Sequence, residues 1–269
     1  YDRNTLDFYS ITFDNLSSPL TPGKYGGFEC PDKPVIAHEA GNFVTFPRID
    51  QIDVWVNAVK PVWLEQTREK LEEMGLFDEW PVWSENSEKL YLLMHKINTE
   101  AIRKSPDING YHWWLFQEYW EKSDGLVDAY FRPKSITPEQ VRPFNSDLVI
   151  LQEGLKRNYR TDETLEVSPA ISNYSPVAGE SGKLTCIVSI EEQILFEDSF
   201  VIDPIDKGLV ECRNRLSFSL PEVAEPKRIK VAMTLDFAGN KYSNHWDSWL
   251  YPLDIEGNIL KNVEFFVSS

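Results

Sequence analysis

The amino-acid sequence predicts two structural classes in series, an α/β segment over residues 1–145 and an antiparallel β-sandwich over residues 146–269. In the first segment, two short apolar strands each end in polar residues and are separated by helical patterns. In the second, short alternating stretches follow one another with turn residues between them. Helical periodicity stops near Phe144-Asn145, and we therefore place the domain boundary there.

The first strand, predicted over Pro34–Ala37, is the element around which the α/β segment is organised. A proline is tolerated at the first residue of a strand, and the apolar run after it lacks alternation, which is typical of a parallel strand buried on both faces. His38 and Glu39 follow at its C-terminal end, and Gly41 lets the backbone turn away. Because parallel barrels carry catalytic groups at this end of their strands, Glu39 is either catalytic or a solvated acid at a strand end.

Helical patterns and a second strand complete the α/β segment. One helix is predicted over Pro61–Met74 and another over about Ser84–Lys104. The expected buried stripe of the second helix is Leu90, Leu93, Met94, Ile97 and Ala101. A strand over Ile108–Phe116 then ends in Gln117 and Glu118. Since the two strands have helices between them, we expect them to be parallel, with their polar ends at one edge.

Beyond this strand, long helical patterns give way to turn residues and then to short alternating segments. Residues 121–145 are rich in turn residues, and Pro138 is predicted at the first position of a short helix. The strands predicted after the boundary are Leu165–Ile171, Lys183–Ile190, Ile194–Ile202, Arg215–Leu220, Ile229–Phe237 and Trp246–Tyr251. Short alternating strands at this spacing predict an antiparallel sandwich.

Composition narrows the function classes. Lys and Arg number 27 against 43 Asp and Glu, and the net charge of −16 argues against a nucleic-acid or anionic-membrane partner. No apolar run approaches the ~20 residues that a membrane-spanning helix requires. The nine Trp and the abundant carboxylates suit carbohydrate binding, although an acidic surface around an aromatic core has the same composition.

Three cysteines, Cys30, Cys186 and Cys212, show neither a zinc-binding spacing nor a disulfide framework. The latter two lie in strand-like stretches, so buried free thiols are expected, with a Cys186–Cys212 bridge as the alternative. The chain begins at Tyr1, and Leu6–Phe13 already has the pattern of a strand. We therefore expect the chain to be the C-terminal piece of a longer protein.

Three stretches resemble the C-terminal part of retaining glycoside hydrolases of the β-galactosidase/β-glucuronidase type. Lys33–Gly41 resembles the seventh strand of their catalytic (β/α)8 barrel, and Asn109–Trp114 is similar to the eighth strand. Asn244–Pro252 resembles the last strand of the immunoglobulin-like sandwich that follows the barrel. The resemblance implies the C-terminal part of such a barrel over residues 1–145 and an immunoglobulin-like sandwich over residues 146–269.

The resemblance also implies a catalytic site. Glu39 matches the nucleophile at the end of the seventh strand, and the eighth strand supplies a Trp to the sugar site. We expect His38 to hold a substrate hydroxyl or to orient Glu39. The full set expected to bind substrate is His38, Asn42, Trp113, Trp114, Gln117, Glu118, Tyr9 and Arg48. No metal or cofactor is expected.

One departure from the family matters for activity. The family's general acid/base is a Glu after an Asn at the end of the fourth barrel strand, upstream of the nucleophile. No equivalent is found here, since Asn98-Thr99-Glu100 lies within a predicted helix. The fragment alone is therefore expected to be inactive, because a retaining mechanism needs two carboxylates.

The leading hypothesis is thus a fragment of a secreted or periplasmic glycosidase that cleaves an oligo- or polysaccharide with retention, completed by the N-terminal part of its parent chain. The first alternative is a non-catalytic carbohydrate-binding or scaffold module, and the second is an adhesion-type protein built on the sandwich. Glu39 is preferred over Glu118 as nucleophile because it follows a short buried strand and has a glycine two residues on.

Overall fold

The computed structural model describes Pro34 and residues 36–56, 59–105, 108–118, 122–212 and 214–253. The predicted site residue Tyr9, the strand at Leu6–Phe13 and Cys30 lie outside these described residues. The chain divides into two compact units, whose described residues are 34–145 and 146–253.

The first unit contains a small parallel sheet with helices between its strands. Strands β1 (Ile36–Ala40) and β2 (Gly110–Trp113) are parallel, with Ile36 opposite Gly110. The helices are α1 (Val62–Glu73), α2 (Trp80–Lys104) and α3 (Pro138–Val141), together with two 3-10 helices, Ile49–Val54 and Phe77–Glu79. The predicted parallel pairing of the two strands across intervening helices is confirmed.

The helix predictions are confirmed in type and differ in detail. Helix α2 begins at Trp80, four residues before the predicted start, because Pro81 fits the first helical turn, where its missing N–H is not needed. Pro138 opens α3 as predicted, and Thr137 with Gln140 forms a capping box there. The predicted apolar stripe of α2 is partly wrong, since Leu90 is exposed.

Helix α2 covers one face of the β1–β2 sheet. Their shared core comprises Ala37, Ala40, Ala101, Ile102 and Ile108, against which Tyr111 and Trp113 pack. On the opposite face, Ile36 is 51% exposed, and the His38 and His112 side chains are exposed as well. The expectation that β1 is buried on both faces is therefore wrong within the described residues, where this second face has no cover.

The second unit is a β-sandwich of two sheets. One sheet has the order β4-β11-β10-β6-β7, and the other has the order β3-β5-β8, with β9 also paired to β5. Its strands are β3 (Leu148–Glu153), β4 (Asn158–Arg160), β5 (Thr164–Asn173), β6 (Glu180–Ile190), β7 (Gln193–Ile205), β8 (Gly208–Glu211), β9 (Leu216–Ser219), β10 (Lys227–Phe237) and β11 (Asn240–Tyr251). All strand pairs are antiparallel except β4–β11.

The alternating pattern that predicted the sandwich is visible in its core. Along β10, the alternate residues Ile229, Val231, Met233 and Leu235 are buried, so one face of the strand points into the core. All six predicted strands are confirmed, whereas β3, β4 and β8 were not predicted. Strand β3 was missed because its buried apolar run has no alternation, and β4 and β8 are short.

A buried amide of the sandwich is hydrogen-bonded, and its two described cysteines are free. The Asn244 amide on β11 donates to the Ile150 carbonyl on β3 at 2.8 Å, which links the two sheets. Cys186 and Cys212 are free thiols, so the alternative of a bridge between them is wrong. Burial raises the pKa of each thiol to about 12, and both therefore stay protonated at neutral pH.

Candidate active site

Glu39 is the penultimate residue of β1, so its carboxylate lies near the C-terminal end of a parallel strand. Glu39 has a left-handed backbone conformation with φ of 54°, and Gly41 follows with φ of 77°. The left-handed region is uncommon for a non-glycine residue, and the pairing of β1 with β2 shifts register between Ala37 and Ala40, around Glu39. The Glu39 side chain is 29% exposed, which leaves the carboxylate accessible from solvent.

His38 lies beside this carboxylate and contacts a second histidine, His112. His38 Nε2 lies 3.4 Å from Glu39 Oε1, and His38 Nδ1 lies 2.9 Å from His112 Nε2 on the neighbouring strand. A hydrogen bond between two ring nitrogens needs a proton on one of them and a lone pair on the other. His38 is therefore held between Glu39 on β1 and His112 on β2.

His95 on α2 packs against Gly41, two residues after Glu39. A Cβ atom added to Gly41 would lie 2.6 Å from His95 Cε1, so only glycine fits at this position without movement of the ring. The imidazole is packed among the rings of Phe43, Tyr91 and Trp113. Burial lowers the pKa of His95 to about 3, so the ring is neutral at physiological pH.

The two tryptophans at the end of β2 have different environments. The Trp113 indole N–H donates to Thr99 Oγ1 on α2 at 3.0 Å, and its ring belongs to the core between the sheet and that helix. The Trp114 indole N–H donates to Asp124 Oδ2 at 2.8 Å. The Trp114 backbone N–H also donates to the Ala40 carbonyl at 3.0 Å, which places Trp114 beside the end of β1. The peptide bond between Trp114 and Leu115 is cis.

Arg48 is engaged in a buried ion pair with helix α2. Its Nε atom lies 2.8 Å from Glu88 Oε1, and the Glu88 carboxylate is fully buried. The backbone N–H of Ser135 donates to the other Glu88 oxygen at 2.8 Å. Glu88 therefore connects the loop after β1, helix α2 and the loop before α3.

Glu118 is likewise bound by protein groups. Its carboxylate lies 2.7 Å from Lys134 Nζ and accepts a hydrogen bond from Gln51 Nε2 at 3.0 Å. Burial raises the pKa of Glu118, and the charge and hydrogen bond of Lys134 and the Gln51 amide partly offset this effect. Lys134 also donates to Thr45 Oγ1 at 3.0 Å, so this ion pair connects several loops in the unit.

Two further predicted substrate-binding residues, Gln117 and Asn42, lie in the loops after β2 and β1. The Gln117 amide donates to the Ala129 carbonyl at 2.6 Å, and Asn42 is partly buried directly after Gly41. The structure thus brings Glu39, His38 and Trp114 to the ends of β1 and β2, whereas Arg48 and Glu118 are held by buried partners.

Sequence reasoning missed His112, His95, Asp124 and Lys134. His112 was recoverable, because the parallel pairing of β1 and β2 places it beside His38. The positions of His95, Asp124 and Lys134 depend on contacts between residues distant in sequence, which periodicity does not reveal.

In the described ranges, no group of three or more His, Cys, Asp or Glu side chains is arranged to hold a metal ion. No described helix is long and apolar enough to cross a membrane.

One family model and several solved structures are similar to parts of this chain. The model of a domain of unknown function, DUF8488, matches residues 163–252, which lie in the sandwich. No curated protein sequence matches the chain. Among solved structures, β-D-mannosidase from Dictyoglomus thermophilum is similar over 81% of this chain and 27% of its own, with a TM-score of 0.52 and 14% identity. At this identity the similarity shows a shared fold.

Two other glycoside hydrolases are similar over shorter ranges. β-Glucuronidase from Parabacteroides merdae is 12% identical over 39% of this chain and 14% of its own, with a TM-score of 0.30. β-Glucosidase from Listeria innocua is 12% identical over 39% of this chain and 16% of its own, with a TM-score of 0.26. The chain therefore spans between 14% and 27% of the length of these three enzymes.

Proposed function

We propose that this chain is the C-terminal part of a retaining glycoside hydrolase, in which β1 and β2 are the last two strands of a (β/α)8 barrel and Glu39 is the nucleophile. The observation that carries the proposal is the position of Glu39. Its accessible carboxylate lies at the carboxyl end of a parallel strand, where barrel enzymes place catalytic groups. The shared fold with a β-mannosidase supports this assignment at the level of the fold.

The exposed face of the β1–β2 sheet also supports the proposal. Parallel sheets are usually covered on both faces, yet the face that carries Ile36, His38 and His112 is exposed here. In a barrel, this face is the inner one and the α2 face is the outer one. The remaining strands of a parent barrel would therefore bury the groups that are exposed in this chain.

The chemistry follows from the two-carboxylate mechanism. The Glu39 oxygen attacks the anomeric carbon and forms a glycosyl–enzyme ester while the bond to the leaving oxygen breaks and a second carboxylic acid protonates that oxygen. Water, deprotonated by the second carboxylate, then cleaves the ester and releases the sugar with retained configuration. The two carboxylates must lie roughly 5–5.5 Å apart, and we propose that the second belongs to the parent barrel.

The other residues of the site receive distinct roles under this proposal. His38 orients the Glu39 carboxylate or holds a substrate hydroxyl, and His112 fixes the His38 ring from the next strand. Trp114 forms the floor of the sugar site, while Trp113 packs the sheet against α2. Arg48 and Glu118 have structural roles because buried partners bind both of them.

The natural substrate class in this proposal is an oligo- or polysaccharide, and the parent enzyme is secreted or periplasmic. The acidic composition supports a neutral or sugar ligand over a polyanion, since the net charge of −16 repels nucleic acids and anionic membranes. We further propose that the sandwich is the immunoglobulin-like domain that follows the barrel.

The test is a substitution of Glu39 in the intact parent enzyme. Glu39→Gln should reduce turnover of aryl β-glycosides at least 1,000-fold and leave substrate binding nearly unchanged, because the amide retains the shape of the side chain but does not attack. Glu118→Gln is the matched control, and we expect it to lower the stability of the enzyme while the folded fraction retains turnover.

Labelling identifies the nucleophile independently. A 2-fluoro-glycoside inactivator should attach to one peptide, the one that contains Glu39, because the covalent intermediate forms at a single carboxylate. Labelling of the Glu118 peptide, or most of the turnover surviving in Glu39→Gln, would show that Glu39 is a solvated strand-end acid.

A further inference from the structure

Two exposed aromatic side chains, Phe116 and Phe131, lie side by side on loops that follow β2. Phe116 is 61% exposed and Phe131 is 62% exposed. Their ring centroids are 6.4 Å apart and the ring planes are inclined by 50°. The two rings therefore form a shallow V-shaped aromatic surface.

The backbone presents Phe131 at a conformational cost. The Phe131 N–H donates to the Asp128 carbonyl at 3.0 Å, and the Asp128 N–H donates to the Arg132 carbonyl at 2.9 Å, which closes a tight turn. Phe131 occupies the left-handed region of this turn with φ of 62°. Turns of this type normally have glycine or asparagine there, and a bulky residue in this conformation is a genuine outlier.

The loop is held firmly in place around this outlier. The buried Asp128 carboxylate accepts hydrogen bonds from the backbone N–H groups of Tyr130 and Arg132, each at 2.8 Å. The Val127 N–H donates to the Phe116 carbonyl at 3.0 Å, so the backbone ties the two loops together. Strained positions that the surrounding structure maintains in this way are concentrated at functional sites.

The size and charge of this surface favour a sugar as its occupant. A stable protein partner would need about 800 Å² of contact on each side, far more than two phenyl rings offer. Nucleic-acid bases also stack on aromatic rings, but the net charge of −16 disfavours a phosphate backbone. A pyranose ring is uncharged and presents an apolar face of C–H groups that matches one phenyl ring.

We propose that Phe116 and Phe131 form an aromatic platform that binds one or two pyranose rings of a β-linked oligosaccharide. The platform adds affinity for an extended substrate. The ligand class rests on the proposed function, whereas the experiment measures binding by this chain. Failure of the platform and failure of Glu39 as nucleophile are therefore distinguishable.

The experiment is saturation-transfer difference NMR with this chain and three probes, cellotetraose, β-1,4-mannotetraose and β-1,4-galactotetraose, each titrated to millimolar concentration. At least one probe should give a saturable signal. Phe116→Ala and Phe131→Gly should each weaken that binding at least fivefold, and Phe131→Trp should retain it. Tyr174→Ala is the matched control, because Tyr174 is an equally exposed aromatic residue of the sandwich.

Thermal unfolding separates binding from packing. Glycine relieves the left-handed strain but also gives the unfolded chain more backbone freedom, so Phe131→Gly should change the unfolding temperature by no more than about 2–4 °C while it weakens binding. The proposal is overturned if no probe gives a saturable signal, or if binding persists unchanged in both Phe116→Ala and Phe131→Gly. A fall of more than about 5 °C in Phe131→Gly would also overturn it, since the ring would then serve packing.

Discussion

At the scale of single residues, three left-handed backbone positions lie at the proposed sites of the first unit: Glu39, Gly41 and Phe131. Only the turn at Gly41 was predictable from the sequence, because glycine is the residue that signals this conformation. Glu and Phe carry no such signal, and their unusual conformations come from the bonding of the surrounding loops. The Glu39 position itself was predicted from the strand before it.

The buried His95 should make the free energy of unfolding fall as the pH falls. Burial lowers its pKa to about 3 in the folded chain, against about 6.5 in an unfolded chain. Below pH 6.5 the unfolded chain binds a proton that the folded chain does not bind, so acid favours unfolding. This contribution to stability is complete above pH 6.5 and is lost as the pH falls towards 3.

The measurement compares the wild type with His95→Leu by urea unfolding between pH 7 and pH 4. The leucine variant should gain stability relative to the wild type as the pH falls, by an amount that approaches about 3 kcal/mol at pH 4. His245→Leu, which replaces an exposed histidine, is the matched control. Parallel pH profiles for wild type and His95→Leu would mean that His95 accepts a proton in the folded state.

At the scale of elements, α2 shows what periodicity alone does not reveal. Ile97 and Ala101 are buried as predicted, but Leu90 is exposed and several polar residues are buried on this helix as well. Glu88 is buried because Arg48 and Ser135 bind its carboxylate, and Thr99 is buried because Trp113 donates to it. Burial of a polar side chain depends on partners distant in sequence, which a hydrophobic pattern does not contain.

The Glu118–Lys134 pair ties the end of the β2 segment to the loop before α3, and a double-variant cycle tests its contribution. Both side chains are buried, so removal of one partner leaves the other charged and unpaired. Glu118→Gln and Lys134→Met should each lower the free energy of unfolding by about 3–5 kcal/mol. The double variant should lose less than the sum of the two, because neither charge is then left alone.

Urea unfolding of the four chains provides the test, with Glu139→Gln as the control for an ion pair exposed to solvent. That pair lies on the surface and should contribute little. Additive losses in the double variant would indicate that Glu118 and Lys134 do not interact in solution, and that their close approach is not a source of stability.

At the scale of the whole molecule, the division into a helix-containing unit and a sandwich reflects two different patterns in the sequence. The sandwich strands were predictable because one face of each strand points into a core. Apolar residues therefore recur at every second position of the sequence. The β1–β2 sheet was predicted as parallel, but the exposure of its second face was not, since the sequence of one strand does not show what covers it. The same holds for the strand Leu148–Glu153 in the sandwich, whose first five residues are all buried although its sequence does not show what covers them.

The last prediction concerns the independence of the sandwich. Residues 146–269, expressed alone, should fold and unfold in one cooperative transition, because the unit contains two sheets with their own buried core. A core substitution tests whether the transition reports native packing. Leu235 is fully buried on β10, so Leu235→Ala should lower the free energy of unfolding by about 2–5 kcal/mol. Lys241→Ala, at an exposed position of β11, should change it little. If the isolated segment has no cooperative transition, or if both variants behave alike, the sandwich depends on the preceding residues for its fold, and the boundary near Asn145 is not a domain boundary.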